Sequence, residues 1–399
     1  MTTRIALIAG LAAASVASAA PSFGTPSSLA TAQRPAGVAS ADFNGDGIAD
    51  LAVAVDTIDR IDIFLGTGGG NFGAPASVFT GGGTGPDALM AADIDNDGDA
   101  DFVVVLKNTN TVRAYINTAG VFAPGASAST GLRPVSIDGA DIDNDGDTDF
   151  VTANRDDNSV SIITNSGGAL SSSAVTIGDE PRDAAPIDLN GDGQHEIAVS
   201  SSRDRTIYVL ASGTWAVQQS INVGAIVRPE GLAAADLDND GDMDLAATLS
   251  DDLASRAGGF FNTAGVLGPG VTALTNGANS SDIAAADFDL DGDIDLVTAN
   301  SDGNSISVME NTGGAFAAGV VTAVGTFPSH LAAADLDGNG SPDLAVTNRD
   351  SNSTWIFLSG AGGGGDPTPC NAADLVEPFG VLDLADIQAF VVLFTGGCP

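Results

Sequence analysis

The stretch from Asp287 to Asp295, DFDLDGDID, decides the reading of this chain, because relatives of it return six more times. They are Asp42 to Asp50 (DFNGDGIAD), Asp93 to Asp101 (DIDNDGDAD), Asp141 to Asp149 (DIDNDGDTD), Asp188 to Glu196 (DLNGDGQHE), Asp236 to Asp244 (DLDNDGDMD) and Asp335 to Asp343 (DLDGNGSPD). Their first residues are 51, 48, 47, 48, 51 and 48 positions apart. A period near 48 marks a repeat architecture.

Four places in each nine offer a side-chain oxygen. The first is Asp42, Asp93, Asp141, Asp188, Asp236, Asp287 or Asp335, and the third Asn44, Asp95, Asp143, Asn190, Asp238, Asp289 or Asp337. The fifth is Asp46, Asp97, Asp145, Asp192, Asp240, Asp291 or Asn339, and the ninth Asp50, Asp101, Asp149, Glu196, Asp244, Asp295 or Asp343. With a backbone carbonyl between them, such a set suits a hard cation that takes six to eight oxygens at roughly 2.3 to 2.6 Å, which favours Ca2+ over Mg2+. Glycine at the sixth place permits the sharp turn. An EF-hand would carry Glu at the twelfth place, where this chain has Val53, Val104, Thr152, Val199, Ala247, Thr298 and Val346, so each loop closes at its ninth residue and runs into a strand.

The alternative is an acidic surface turn without metal, since Asp-Gly and Asn-Gly pairs turn well unaided. Against it, three or more carboxylates within nine residues repel one another unless a cation sits between them. About seven structural Ca2+ sites are expected, the first, fourth and seventh weaker because Asn44, Asn190 and Asn339 lower their charge.

Charge follows the same pattern. The 399 residues carry a net charge of −39, and the seven loops hold 29 of the 52 acidic residues. Acidity gathered into one motif favours metal coordination over a solvating tail. Nucleic acid is an unsuitable partner, because phosphate binding needs a cationic surface.

Residues 1 to 19 join Arg4 to the apolar run IALIAGLAAASVA and end in Ala17-Ser18-Ala19, the pattern of a secretory signal peptide. No later run reaches the roughly 20 apolar residues of a membrane-spanning helix. A secreted or extracytoplasmic protein is expected, with cell-surface association an option.

From residue 20 to 362 each repeat holds four short strands with period-two alternation and turn residues between them, best seen in LVTAN (Leu296 to Asn300), SISVME (Ser305 to Glu310) and FAAGVVTAV (Phe316 to Val324). Four antiparallel strands make one propeller blade, so the fold class is all-β, a seven-bladed β-propeller. A parallel β-helix is the rival, and its unit is much shorter than this one. The last repeat stops after TWIFL (Thr354 to Leu358), while Phe23-Gly24-Thr25-Pro26 resembles Phe72-Gly73-Ala74-Pro75 of the first blade's fourth strand. The N-terminal segment is therefore expected to complete the last blade and clasp the ring. The fifth blade departs most, and its middle, Ser250 to Gly259, is expected to be distorted.

These blades resemble the FG-GAP or VCBS-type repeats of integrin-α-like propellers, through the acidic loops and the turns at Asn71-Phe72-Gly73 and Gly314-Ala315-Phe316. That resemblance implies structural calcium loops on the face opposite the usual ligand face, and a role in binding or cell adhesion.

Residues 363 to 369 form a Gly/Pro linker, and 370 to 399 a different kind of sequence. The run LDLADIQAFVVLF reads as one amphipathic helix. The only cysteines, Cys370 and Cys398, bracket the segment; in an oxidising compartment they are placed to close a loop of about 28 residues, stabilising by roughly 3 kcal/mol, with two free thiols as the other reading. The segment resembles a GC-type dockerin-like domain in Phe379 to Ile387 and the closing Gly397-Cys398-Pro399, which implies docking or sorting. Dockerins carry two such half-repeats and this chain has one; Pro378 and Phe379 stand where ligands belong.

For function, His195 and His330 lie in different repeats, and no nucleophile or zinc spacing accompanies them. The chain is read as a non-enzyme; a polysaccharide lyase, which some such propellers resemble, is a remote alternative. Arg34, Arg133, Arg182 and Arg228 precede a blade's first strand, and Arg60, Lys107, Arg113, Arg155, Arg203, Arg205, Arg256 and Arg349 lie at or beside the hairpin joining its second and third. Both classes open on the face opposite the acidic loops. That face, with Arg133, Arg155, Arg203 and Arg205 as its test residues, is expected to bind a carboxylate- or sulfate-bearing partner, an acidic polysaccharide or a secreted or cell-surface protein. The alternative is simple pairing with Asp156, Asp157, Asp204 and Asp350. A lectin would want exposed aromatics, and only Trp215, Trp355, Tyr115 and Tyr208 are on offer.

Overall fold

The computed structural model describes residues 20–251 and 255–360. The expected signal peptide, linker and dockerin-like segment, with Cys370 and Cys398, lie outside the described residues.

Seven four-stranded antiparallel sheets follow one another along the chain. The second strands, such as Asp50–Val55 (DLAVAV) and Asp101–Leu106 (DFVVVL), are buried along their whole length. Their β-branched and small residues fit a strand covered on both faces, as a blade between two others must be. Outer strands such as Ala76–Phe79 are mostly exposed.

The core lies between blades. Phe43, Ala52 and Ile61 of the first blade pack with Phe102, Val104 and Tyr115 of the second, and Phe102 stacks on Tyr115 with ring centroids 5.0 Å apart. Leu51, Val53 and Phe64 pack in turn against Leu336, Ala345 and Ile356 of the seventh blade, which closes the ring.

Closure also runs through the backbone, as the sequence implies. Ser27–Ala30 pairs antiparallel with Ser353–Phe357, with Ser27 opposite Ile356 and Ala30 opposite Ser353. Phe23 anchors the segment edge-on against Phe288 and Phe357, at centroid distances of 5.4 and 5.8 Å. The distortion expected between Ser250 and Gly259 of the fifth blade falls partly on residues 252–254, which lie outside the described residues; the flanking strands are regular. Arg256–Phe260 pairs with Asp244–Ser250 without a register shift, because small residues such as Ala257 and Gly258 fit the crowded middle position.

The first strands of the blades line the axis. Each ends at an acidic loop: the seven-residue Pro181–Ile187 leads into Asp188, for instance, while the third blade's first strand is short, Asp138–Ala140. Seven extended residues cover roughly 20 Å, so the two ends are separate surfaces.

Candidate metal loops and the axial mouth

Every acidic loop is held by the same two devices. Its second residue is an apolar plug: Phe43, Ile94, Ile142, Leu189, Leu237, Phe288 and Leu336 are all buried. Its ninth residue is a buried acid, whose carboxylate accepts the second residue's N–H, at 2.9 Å for Asp50 with Phe43 and for Asp101 with Ile94. In six loops the other oxygen accepts an N–H from the end of the third strand, such as Gly66 at 2.7 Å, Asn117 at 2.6 Å and Ser359 at 2.7 Å. In the fourth loop Glu196 instead takes the Asn190 amide at 3.1 Å.

Inside this frame the loop wraps around its own carboxylates. The first-place acid accepts the sixth-place glycine N–H, as Asp287 does from Gly292 at 2.9 Å. The fourth and sixth places are left-handed throughout, which suits Gly and Asn, but the sixth loop places Leu290 at φ 59°.

Three carboxylates converge to within 4.8 Å in the second, third, fifth, sixth and seventh loops, for example Asp93, Asp95 and Asp101. Loops one and four do not reach that grouping, because Asn44 and Asn190 stand at the third place. The seventh, expected among the weak ones, does, since its amide is the fifth-place Asn339.

Oδ1 atoms of Asp93, Asp95, Asp236 and Asp238 are sealed from solvent without any hydrogen-bond donor. Buried oxygens are paired in nearly all folded proteins, so these orphans fit a cation held among them. Burial also pushes the ninth-place acids upward, Asp295 to about 7 and Asp343 to about 6, with neighbouring carboxylates adding to the shift. The donor set is all oxygen, as a hard cation requires.

At the other end of the inner strands all seven blades meet around an axial cavity of about 630 Å³. Its lining includes Lys107, Arg133, Arg155, Arg182, Arg228 and Arg349. Of the four expected ligand-face arginines, the structure therefore brings Arg133 and Arg155 to the mouth. Arg203 stands behind it, 3.5 Å from Asp179 and 3.4 Å from Glu180, and Arg205 is exposed on the same hairpin without lining the cavity.

Most of these cations are paired, though seldom with the acids proposed from sequence. Lys107 lies 3.0 Å from Asp56 and 3.1 Å from Asp87, Arg155 2.8 Å from Glu180, and Arg182 2.9 Å from Glu180 and 3.3 Å from Glu230. Burial alone would raise Glu180, but Arg182, Arg155 and Arg203 overcome it and hold it below its usual range. Of the acids named earlier, only Asp156 meets a cation among the described residues, Arg133, at 3.9 Å. Asp157 accepts the Leu132 N–H and Asp204 the Asp179 N–H.

Asp138, Asp183, Asp282 and His330 also line the cavity, and of these the sequence reading had singled out only His330. Burial pushes Asp138 to about 6 and Asp183 to about 7, the latter helped by Asp282 and Asp138. The available signal was a charged residue inside a strand otherwise apolar. What aims Asp183, Asp282 and His330 at the axis is a register shift one or two residues into the strand, as between Pro181 and Asp183.

The two histidines do not meet. His330 lines the cavity, while the His195 ring contacts the Asp141 carbonyl at 3.1 Å on the loop face. Tyr115 is fully buried, and Tyr208, Trp215 and Trp355 are half-buried.

The fold and loops define a class, a seven-bladed propeller with an acidic loop between the first two strands of each blade. A family described as FG-GAP-like repeat matches residues 42–104, 95–152, 141–199, 188–247 and 287–346. These spans cover more than half of the chain, which belongs to that family. No curated protein matches the sequence. Among solved structures, one described as BBS1N in complex with ARL6DN, soaked with lead, is similar at TM-score 0.61 and 15% identity, covering 87% of this chain and 99% of that one. Kuenenia stuttgartiensis hydrazine synthase is similar at TM-score 0.59 and 12% identity, covering 84% and 97%. At such identities the likeness is one of fold.

Proposed function

We propose that this protein is a secreted, calcium-stabilised, non-enzymatic binding or adhesion module that takes its partner at the axial mouth and is docked or sorted through its C-terminal segment. The observation that carries the reading is the division of charge along the inner strands. One end holds the carboxylate-rich loops, where a divalent cation would offset repulsion; the other gathers six Lys and Arg side chains around one cavity that Asp87, Asp138, Asp183, Glu230 and Asp282 also line.

Calcium here is structural. The first-, third-, fifth- and ninth-place oxygens would hold it, and its charge would tie each blade's first strand to its second. The mouth is where a partner gains specificity, because guanidinium groups already oriented by Glu180 and Glu230 present fixed donors to a carboxylate or sulfate. The partner class is an acidic polysaccharide or a secreted or cell-surface protein.

The test is a binding assay with immobilised sulfated and carboxylated polysaccharides and with secreted proteins, in calcium. Replacing the cavity-lining Arg133, Arg155, Arg182 and Arg228 together by Gln is expected to abolish capture. Full retention of every partner would remove the mouth from the proposal. A lectin-like reading is less well supported, because no aromatic side chain other than Phe327 lines the cavity.

A further inference from the structure

The acidic loops are joined to one another across blade boundaries. At the end of the third strand, blades two, three, five and six carry Asn117, Asn165, Asn262 and Asn311, each opening a turn of the form Asn-Ser/Thr-Ala/Gly-Gly. Each amide Nδ2 donates to the second-place carbonyl of the preceding blade's loop. Asn117 reaches Phe43 O at 2.7 Å, Asn165 reaches Ile94 O at 2.9 Å, Asn262 reaches Leu189 O at 2.6 Å and Asn311 reaches Leu237 O at 2.8 Å.

The same asparagines also frame their own blade's loop. Their backbone N–H groups donate to the buried ninth-place acids Asp101, Asp149, Asp244 and Asp295. Three of them donate in addition to the eighth-place carbonyl, Asn117 to Ala100 O, Asn262 to Met243 O and Asn311 to Ile294 O. One residue thus holds the floor of one loop and the closing acid of the next.

At two of these boundaries a second bond runs from loop to loop. Asn96 of the second loop donates to Asp147 of the third, and Asn239 of the fifth donates to Asp293 of the sixth at 2.6 Å. The other three boundaries differ. Ser212, Ser359 and Gly66 stand where the asparagines would be. Among the described residues none of them bonds the preceding second-place carbonyl; between the third and fourth loops only the His195 ring crosses, to the first-place carbonyl of Asp141.

We infer that Asn117, Asn165, Asn262 and Asn311 are positioning residues that couple the loops into two cooperative triplets, loops one to three and four to six, with loop seven independent. The inference rests on the calcium reading above. A loop ordered by its ion fixes the second-place carbonyl, and the asparagine passes that order to the neighbour's ninth-place acid, so the neighbour has less conformational freedom to lose when it binds. Coupling of this kind is typically worth a factor of about 5 to 150 in affinity.

The experiment is a calorimetric Ca2+ titration of the chelated full chain, beside melting curves in EDTA and in calcium. Wild type is expected to bind with a Hill coefficient clearly above one. Asn311→Ser copies the residue the chain itself uses at Ser359; it is expected to weaken binding at loops five and six about fivefold and leave loops one to three unchanged. Ser359→Asn is expected to bring loop seven into register with loop six. Unit steepness in the wild type with seven sites filled overturns the coupling and leaves the calcium reading standing, whereas absence of any calcium heat overturns both. If Asn311→Ser lowers the melting temperature equally in EDTA and calcium and leaves the isotherm unmoved, the asparagine is only structural and the inference fails.

Discussion

The two ends of each inner strand handle buried carboxylates in opposite ways. At the mouth, Glu180, Glu230, Asp56 and Asp87 are answered by Lys and Arg side chains of the protein itself. At the loop end the answering groups are backbone N–H donors, and the ion pairs of Lys107, Arg133, Arg155, Arg182, Arg203 and Arg349 all end on acids outside the nine-residue loops. The mouth answers these four acids with the protein's own cations, although Asp138 and Asp183 beside them have no such partner among the described residues, whereas the loops answer theirs with N–H dipoles. An N–H dipole offsets part of a carboxylate's charge but leaves the repulsion between carboxylates in place.

Chelation should break this comparison most forcefully. At calcium tenfold above its dissociation constant each site contributes about 1.4 kcal/mol, and seven sites together rival the 5 to 15 kcal/mol that stabilises a typical domain. Scanning calorimetry is expected to show EDTA lowering the melting temperature by tens of degrees; an unchanged transition would sink the metal assignment.

Next in size is Asp101→Ala. It strands the Ile94 and Asn117 N–H groups, each costing about 1 to 3 kcal/mol when left unpaired. Urea titration is expected to show a loss of about 3 kcal/mol even in EDTA, which separates the framing role of the ninth-place acid from its role toward the ion. Arg203→Gln at the exposed back of the mouth should change stability by less than about 1 kcal/mol.

A smaller, pH-dependent effect sharpens the mouth side. Asp138 and Asp183 titrate near 6 and 7 in the folded protein, above their ordinary 3.8. A carboxylate raised by folding binds its proton more tightly in the native state, so the contribution of these two groups to stability is greatest below about pH 4 and declines as pH rises toward 7. Asp183→Asn removes the burial of charge; its melting temperature is expected to exceed wild type by about 3 °C at pH 8 and to match it at pH 4. Equal differences at both pH values would show that the carboxylate's charge is not the cause.

The smallest change is Leu290→Asn. Leu290 is exposed at φ 59°, where every other loop has Gly or Asn. Relieving that strain is expected to add about 1 kcal/mol, detectable as a higher denaturant midpoint.

The repeat, the blade and the loop were legible in the sequence because each depends on local chemistry. A nine-residue acidic turn, a run such as FVVVL and a glycine at a sharp bend carry their geometry with them, and the N-terminal clasp was readable from Phe23 and Gly24 repeating Phe72 and Gly73. Loop framing was half visible: the apolar second place and acidic ninth place recur in every copy, but their burial against each other does not show in a string of letters.

Charge partners were the least legible. Arg155 meets Glu180 and Lys107 meets Asp56 across blade boundaries, whereas sequence proximity pointed to Asp156, Asp157, Asp204 and Asp350. The axial carboxylates escaped notice because a bulge, invisible in composition, turns Asp183 and Asp282 toward the axis. The sequence by itself determined an FG-GAP-like repeat with an acidic loop and the number of blades, since both rest on residues near one another in the chain. Only the closed ring decided which side chains share the axial cavity and which asparagines reach a neighbour's loop, because those contacts join residues about 70 positions apart and exist only once the blades pack side by side.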